Sequence, residues 1–531
     1  MGHIIGKDRY QFTLFPETLD EYISEDNPVR VIDAFIKQLD LIEAGFINVI
    51  PAREGRPSYG PNCLLKLYLY GYFNKIRSSR KLMHECRRNV EVMWLIGKLD
   101  PDFRTISDFR KNNAKALKRV FRAFVKVCVE LGLYTRELVA IDGSKFRAAN
   151  SKDNNITVSK LEDRLKRIEK NITEYLEELD RNDQNEVDTK ELTKEELQQK
   201  IEVLRQRQEK YNEYIKEMKE SNETQKSFVD PESRLMKTHN GGFDVCYNVQ
   251  TAVDAGSHMV VDFDVTNNCN DMGLLYEGAK RAKEALEEEI LEVVADNGYE
   301  GKEDMLECLK SGIIPHVALK DGVAEQEIVI DYNESVITDE TLHSSEPEDI
   351  QKCLEAGVLP AVYMNKNIEI EVVEQKKVGP GEKCFTRSED GKTVICPEGR
   401  TLNKAADLKN KSKIRYTSRS ACSHCLNKCT TSEFKQVDLK GGQNILFINS
   451  PNVIERKVKI RIKPDKEKIK TRKMVVEHPF GTVKRWCDAS YVLMKGRVKA
   501  TADLSLSFLA YNMKRAIRMV GVSELVAVMR G

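Results

Sequence analysis

Hydrophobic positions along this chain alternate between helical spacing and strand patterns, and their order divides it. Leu19–Gly45 places Tyr22, Ile23, Val29, Ile32, Phe35, Ile36, Leu39 and Leu41 at helical spacing. The loop G-R-P-S-Y-G-P follows at 55–61, and Pro61 can open a helix over Asn62–Phe73. Ser78–Arg88 and Val90–Leu95 read as two short helices. Thr105–Leu131 reads as one longer helix, with Thr105 or Ser107 as N-cap and Gly132 at its end. Tyr68, Tyr70 and Tyr72 in this block fit a helical core better than a base-stacking face.

The pattern switches at Leu138–Ile141, a short buried strand ended by Asp142 in I-D-G. Residues 156–226 then return to helical spacing (Leu161, Leu165, Ile168, Ile172, then Leu197, Ile201, Leu204), with Asp180–Asp188 as a polar turn. That is a helical hairpin, a coiled-coil arm inserted between strands. Tyr247–Val253 and Met259–Val265 form a hairpin, and Asp271 precedes a helix of about 272–289. Ile290–Ala295 is a second buried strand, again ended by an acid, Asp296. Residues 305–319 and 350–364 repeat one another as helix, glycine stop, strand, and one copy is expected in the main sheet. The segment 321–348 between them is acidic and loop-rich. Asn444–Ile448 is a strand, and Thr501–Met519 a helix that ends basic.

Composition changes this picture in two ways. The formal net charge is only +1, yet 51–137 holds 19 Lys and Arg against 8 Asp and Glu, and 455–531 holds 19 against 7. Two basic ends on a neutral chain point to an extended polyanion. Among the basic side chains, Arg77, Arg80, Lys81, Arg87 and Arg88 crowd the helical block, which suits a small DNA-binding domain. The 13 cysteines come without a signal-peptide pattern, so a reducing cytoplasm and metal binding are the better default than disulfides. Cys396, Cys422, Cys425 and Cys429 suffice for a tetrahedral structural zinc, and Cys384 or His424 could replace one ligand. No apolar run approaches the ~20 residues of a membrane span.

The chemistry gathers on three carboxylates. Asp142 and Asp296 each end a buried strand, and a carboxylate there is placed for a site at the sheet edge. Glu477 lies in K-M-V-V-E-H-P-F-G-T-V-K-R, among Arg472, Lys473, Lys484 and Arg485. Lys484 follows Glu477 by about two helical turns, so both can point the same way. Three carboxylates can hold magnesium, which prefers oxygen ligands, while the lysines and arginines beside them contact DNA phosphates. A phosphate-cradling glycine loop, H-E-x-x-H and G-x-S-x-G are all missing, so no ATP is expected.

The strings V-A-I-D-G-S-K-F, V-V-A-D-N-G-Y and V-V-E-H-P-F-G-T-V-K-R resemble the three acidic motifs of bacterial insertion-sequence DDE transposases, the IS1182 group in particular. G-R-P-S-Y-G-P-N-C-L-L-K-L-Y-L-Y-G-Y and the cysteine-rich insert are similar to that group as well. The resemblance implies an α/β protein with an RNase H-like core, a mixed sheet with flanking helices. Asp142, Asp296 and Glu477 would be catalytic ligands of Mg2+ or Mn2+, with Lys484 and Arg472 matching basic positions around the Glu. A tyrosine often found just before that arginine is absent here, the chain reading Lys468, Ile469, Lys470.

The expected domains are a helical DNA-binding domain at 1–136, a first core strand at 137–155 and a hairpin insertion at 156–228. Core follows at 229–320, then an insertion with the cysteine-rich segment at 321–455, and C-terminal core helices at 456–531. The implied activity is cleavage and strand transfer at the ends of a mobile element. The partners would be double-stranded DNA (terminal inverted repeats and target) and a second copy in a homodimer, in the bacterial cytoplasm at the nucleoid and with no membrane. Two alternatives stand beside it: an RNase H-like nuclease without strand transfer, and a non-catalytic DNA-binding derivative, against which the intact acidic set argues.

Overall fold

The computed structural model describes residues 18–530, apart from 52, 55–56, 152–154, 185–193, 221–224, 228, 239–240, 321, 378–383, 397, 409–412, 419, 421–422, 424, 426–435, 441–443 and 447–452. The chain divides into two compact units, Met1–Ala324 with Pro464–Gly531, and Glu325–Lys463. It is a mixed α/β protein.

The first unit begins with helices Val29–Gln38, Pro61–Phe73, Ser79–Arg88, Val90–Ile96, Phe103–Asn112 and Ala114–Glu130. The expected single helix over 105–131 is therefore two. Asp102, not Thr105 or Ser107, caps the first of them, accepting from the Arg104 and Thr105 amides. Asn113 breaks the run: its backbone leaves helical dihedrals (φ −106°, ψ 27°) while its side-chain amide donates to the Phe109 carbonyl and its side-chain oxygen takes the Ile47 amide. Tyr68, Tyr70 and Tyr72 are buried in this bundle.

The central sheet holds β1 (Val139–Arg147), β4 (Arg234–Lys237), β5 (Phe243–Asp254), β6 (Val260–Thr266), β7 (Leu291–Ala295) and β8 (Ile313–Val317); β2 (Asn155–Thr157) and β3 (Gln225–Ser227) make a small separate pair. β4 and β6 share one edge of β5, and the order runs on through β1 and β7 to β8. β1 is antiparallel to β5 but parallel to β7, which is parallel to β8. β1 pairs with β7 only at Val139↔Val293 and Ala140↔Val294, so the strands part just before Asp142 and Asp296. The crevice outside those strand ends is where α/β sheets place their ligands.

Residues alternate across β1. Gly278 of helix Leu275–Leu286 lies over Ile141, so Ile141, Gly143 and Lys145 face that helix. Asp142, Ser144 and Phe146 face the opposite side, where Phe480 of helix Lys466–Gly481 meets Phe146. Between β1 and β5 the chain runs through helices Val158–Gln184 and Lys194–Glu220, packed as a hairpin; the first extends through most of the expected polar turn, and 185–193 lies outside the described residues.

Of the two repeats, the first supplies helix Lys302–Lys310 and β8 of the main sheet. The second supplies helix Pro347–Glu355 but ends in a turn at Ala361–Tyr363 instead of a strand. Apart from these and the short helix Asp339–His343, the described residues of the second unit form antiparallel β-structure. Gln326–Asp331, in a stretch expected to be loop, pairs with Val453–Ile462, which pairs with Ile368–Lys377. A separate six-stranded sheet is closed over Phe385, Val394, Leu402, Tyr416, Val437 and Leu439.

Candidate active site

Helix Lys466–Gly481 starts on Asp465, whose carboxylate accepts from the Glu467 and Lys468 amides. Its first turn is seated on the sheet. The Asp465 amide donates to His316 Nδ1 on β8, His316 Nε2 meets Glu292 on β7 at 2.8 Å, and Lys468 pairs with the same Glu292. One turn further on, Arg472 reaches the crevice. Its Nη1 stands 3.3 Å from Asp142 Oδ1 and 3.8 Å from Asp296 Oδ2.

Asp142 and Asp296 thus converge as their strand-end positions suggest. Burial pushes the Asp142 carboxyl up to about 6; Arg472 opposes that shift and the Asp296 charge adds to it. Asp296 caps its own turn, its Oδ1 taking the Gly298 amide at 2.9 Å. Arg472 Nη1 is buried with no hydrogen-bond partner, so it answers the two carboxylates by charge and not by directed bonds.

Glu477 is not part of this cluster. It is exposed and pairs with Lys473 at 3.9 Å. Five residues separate it from Arg472, about 140° around the helix. Its expected alignment with Lys484 also fails. Pro479 removes a backbone donor, and Thr482–Trp486 widens into a π-turn, which changes the angular register. Lys484 turns inward, donating to Ser144 Oγ at 2.6 Å and the Lys145 carbonyl at 2.8 Å, while Glu477 faces outward. Burial brings the Lys484 ammonium down to about 8.

The expected DNA contacts divide as well. Lys473, Arg485, Arg80, Lys81, Arg87 and Arg88 are exposed, with Arg87 paired to Asp100 and Arg88 to Glu85. Arg77 is a correction. It is buried, donating to Asp503 at 2.8 Å and to the Tyr491 carbonyl, so its guanidinium faces protein and not a phosphate. Of the expected zinc ligands, Cys396 is buried and accepts the Arg400 amide on its Sγ at 3.3 Å, and Cys425 is half-buried. Cys422, Cys429 and the alternative His424 lie outside the described residues. Among the described residues no three His, Cys, Asp or Glu side chains are close enough together to hold a metal ion.

Sequence reading passed over the residues behind the crevice. Asp271 Oδ1 accepts from Asn248 Nδ2 and Gln250 Nε2, both at 2.7 Å, and Lys145 Nζ stands 3.8 Å away. Gln250 Oε1 accepts the hydroxyl of Tyr299, whose proton is held well above its ordinary range by burial and by the charges of Asp271, Asp142 and Asp296. The available signal was Asn248 and Gln250 themselves, two buried amides on one face of a strand.

Two family profiles match the chain. One, described as a transposase domain (DUF772), covers residues 17–112; the other, the transposase DDE domain, covers 134–513. Comparison with curated proteins gives no match. A solved structure, a cryo-EM piggyBac transposase synaptic complex with hairpin DNA, aligns over 95% of this chain and 79% of its own at 9% identity, with a TM-score of 0.31. The second profile spans the helical hairpin, both strand-end aspartates and Glu477, and on that match the chain belongs to the DDE-domain transposase family.

Proposed function

We propose that this transposase is an insertion-sequence enzyme of the IS1182 group, and that Asp142 and Asp296 hold its catalytic divalent cation, Mg2+ or Mn2+. The group assignment rests on the motif resemblance; the observation that carries the cation reading is the guanidinium of Arg472 standing between the two carboxylates. It supplies positive charge at the point where an all-oxygen donor set suits a hard cation. Glu477 is the third carboxylate, on the strength of the motif it sits in. When bound, the metal supplies activation of the attacking oxygen and stabilisation of the leaving one. Arg472 balances the paired carboxylates, and the exposed Lys473 and Arg485 lie along the path of a phosphate backbone. Lys484 braces β1 from the same helix end. The exposed Arg80, Lys81, Arg87 and Arg88 extend the basic surface of the helical domain. The strand order β6-β5-β1-β7-β8, with the first three antiparallel and the last two parallel, supports an RNase H-like core.

The test uses end-labelled DNA carrying the element's terminus and flank. With Mg2+ a nick is expected at the terminus, followed by joining to target DNA, and chelator should abolish both. A homodimer would hold two such ends, which light scattering on the complex reads as mass. Cutting without joining would favour a plain nuclease, and tight binding without cutting a DNA-binding derivative.

A structural zinc on Cys396, Cys422, Cys425 and Cys429 remains part of this reading. The Cys396 sulfur already accepts a backbone amide, as a thiolate ligand does. One zinc per chain is expected by elemental analysis, falling to none in Cys422→Ser/Cys425→Ser; metal-free wild-type protein would end the idea.

A further inference from the structure

We propose that Asp271, Gln250 and Tyr299 form a relay on the far face of β1 that positions the Asp296 turn for cation binding. This rests on the reading of Asp296 as a metal ligand.

The Asp271 carboxylate does not cap the helix it precedes; only its backbone carbonyl takes the Leu274 amide, at 3.2 Å. The free amides of Leu275 and Tyr276 go to Asp304 instead. What Asp271 does is face β5. A carboxylate only accepts, so it demands the NH2 side of both Asn248 and Gln250. That fixes which way the Gln250 amide points. With Nε2 committed to Asp271, Oε1 is turned toward Tyr299, whose hydroxyl donates to it. Tyr299 is fully buried and closes the Asp296 turn, its amide bonding the Asp296 carbonyl at 3.2 Å. One chain of donors and acceptors therefore links the strand behind Asp142 to the loop that presents Asp296.

The backbone is built for it. A Cβ on Gly143 would lie 2.3 Å from Gln250 Nε2 and 2.4 Å from Asp271 Oδ1. A Cβ on Gly298 would lie 2.9 Å from Asp296 Oδ1. The bare glycine beside Asp142 lets Asp271 and Gln250 close onto β1. Asn248, fully buried, is left with an unpartnered Oδ1 about the same gap. A packing role alone would not call for two oriented amides and a carboxylate in the back of a strand. Partners that orient a metal ligand from behind are where substitution costs affinity without removing a ligand.

The experiment titrates Mn2+ into full-length protein by calorimetry, comparing Tyr299→Phe with wild type. Tyr299→Phe deletes one hydroxyl and nothing else. Mn2+ affinity should fall about ten- to a hundredfold. Tyr247→Phe is the control, since its buried hydroxyl also serves a carboxylate, Asp230, away from the crevice. It should bind Mn2+ as wild type does. Equal weakening in both variants would mean general loosening and overturn the proposal. Wild-type affinity in Tyr299→Phe, with affinity lost in Asp296→Asn, would overturn the relay and leave the Asp296 reading standing. Wild-type affinity in Asp296→Asn would overturn both.

Discussion

Asp142→Asn should lower Mg2+-dependent cleavage at the element's end about a thousandfold or more, because a metal's stabilisation of the developing charge is worth several kcal/mol. The substitution keeps the shape of the side chain. It removes one of the two carboxylates that converge on Arg472, so the charge that would draw a cation is halved. Stability should not suffer. The Asp142 carboxyl is pushed up to about 6 chiefly by burial, which means its ionised form is disfavoured where it sits. A neutral amide at that position relieves the disfavoured charge, and the variant should melt no lower than wild type. Lost cleavage with unchanged melting is the signature of a residue kept for chemistry at a cost to the fold. A variant that still cuts at a tenth of the wild-type rate would remove Asp142 from the site. Glu477→Gln, in the same assay, reads whether the exposed carboxylate joins the reaction.

The strand ends were the legible part of this molecule. Val139–Ile141 and Val293–Ala295 are short apolar runs, each stopped by an acid, and a buried strand has few other ways to look. The helical hairpin was legible for a similar reason, its apolar spacing being long and regular. What could not be read was anything fixed by contacts between distant segments. β1 continues through Gly143, Ser144 and Lys145 to Arg147, because all nine of its residues pair with β5; the polar run looks like a loop in isolation. Helix orientation fails the same way. Glu477 and Lys484 are in step on a regular helix, and a proline and a π-turn put them out of step. The relay draws Asp271 from a loop, Gln250 from β5 and Tyr299 from the turn after β7, and no periodicity connects them.

Arg77 shows the same limit most sharply, and it carries the second large effect. In sequence it is one arginine in a basic run. In the fold it meets a carboxylate 426 residues away. Asp503, fully buried on helix Arg497–Val520, accepts from Arg77 Nη2 and the Leu493 amide, each at 2.8 Å, and from the Tyr72 hydroxyl; Arg110 Nη1 lies 3.7 Å off. Asp503→Ala should therefore destabilise this unit by about 3–5 kcal/mol, the usual result of stranding buried charge. Two guanidiniums would be left facing one another without the anion between them. Thermal unfolding should show a loss of roughly 5 °C. Asp503→Asn, which keeps an acceptor for Tyr72 and the Leu493 amide, should lose less. A loss below about 1 kcal/mol for the alanine variant would place this cluster among ordinary surface pairs. The same contacts decide what Arg77 does for DNA. A phosphate contact would reduce the salt dependence of DNA affinity by about one counterion when removed. Arg77→Met should leave that slope unchanged and lower the melting temperature instead, whereas Lys81→Ala, exposed on helix Ser79–Arg88 just after it, should flatten the slope and leave melting alone.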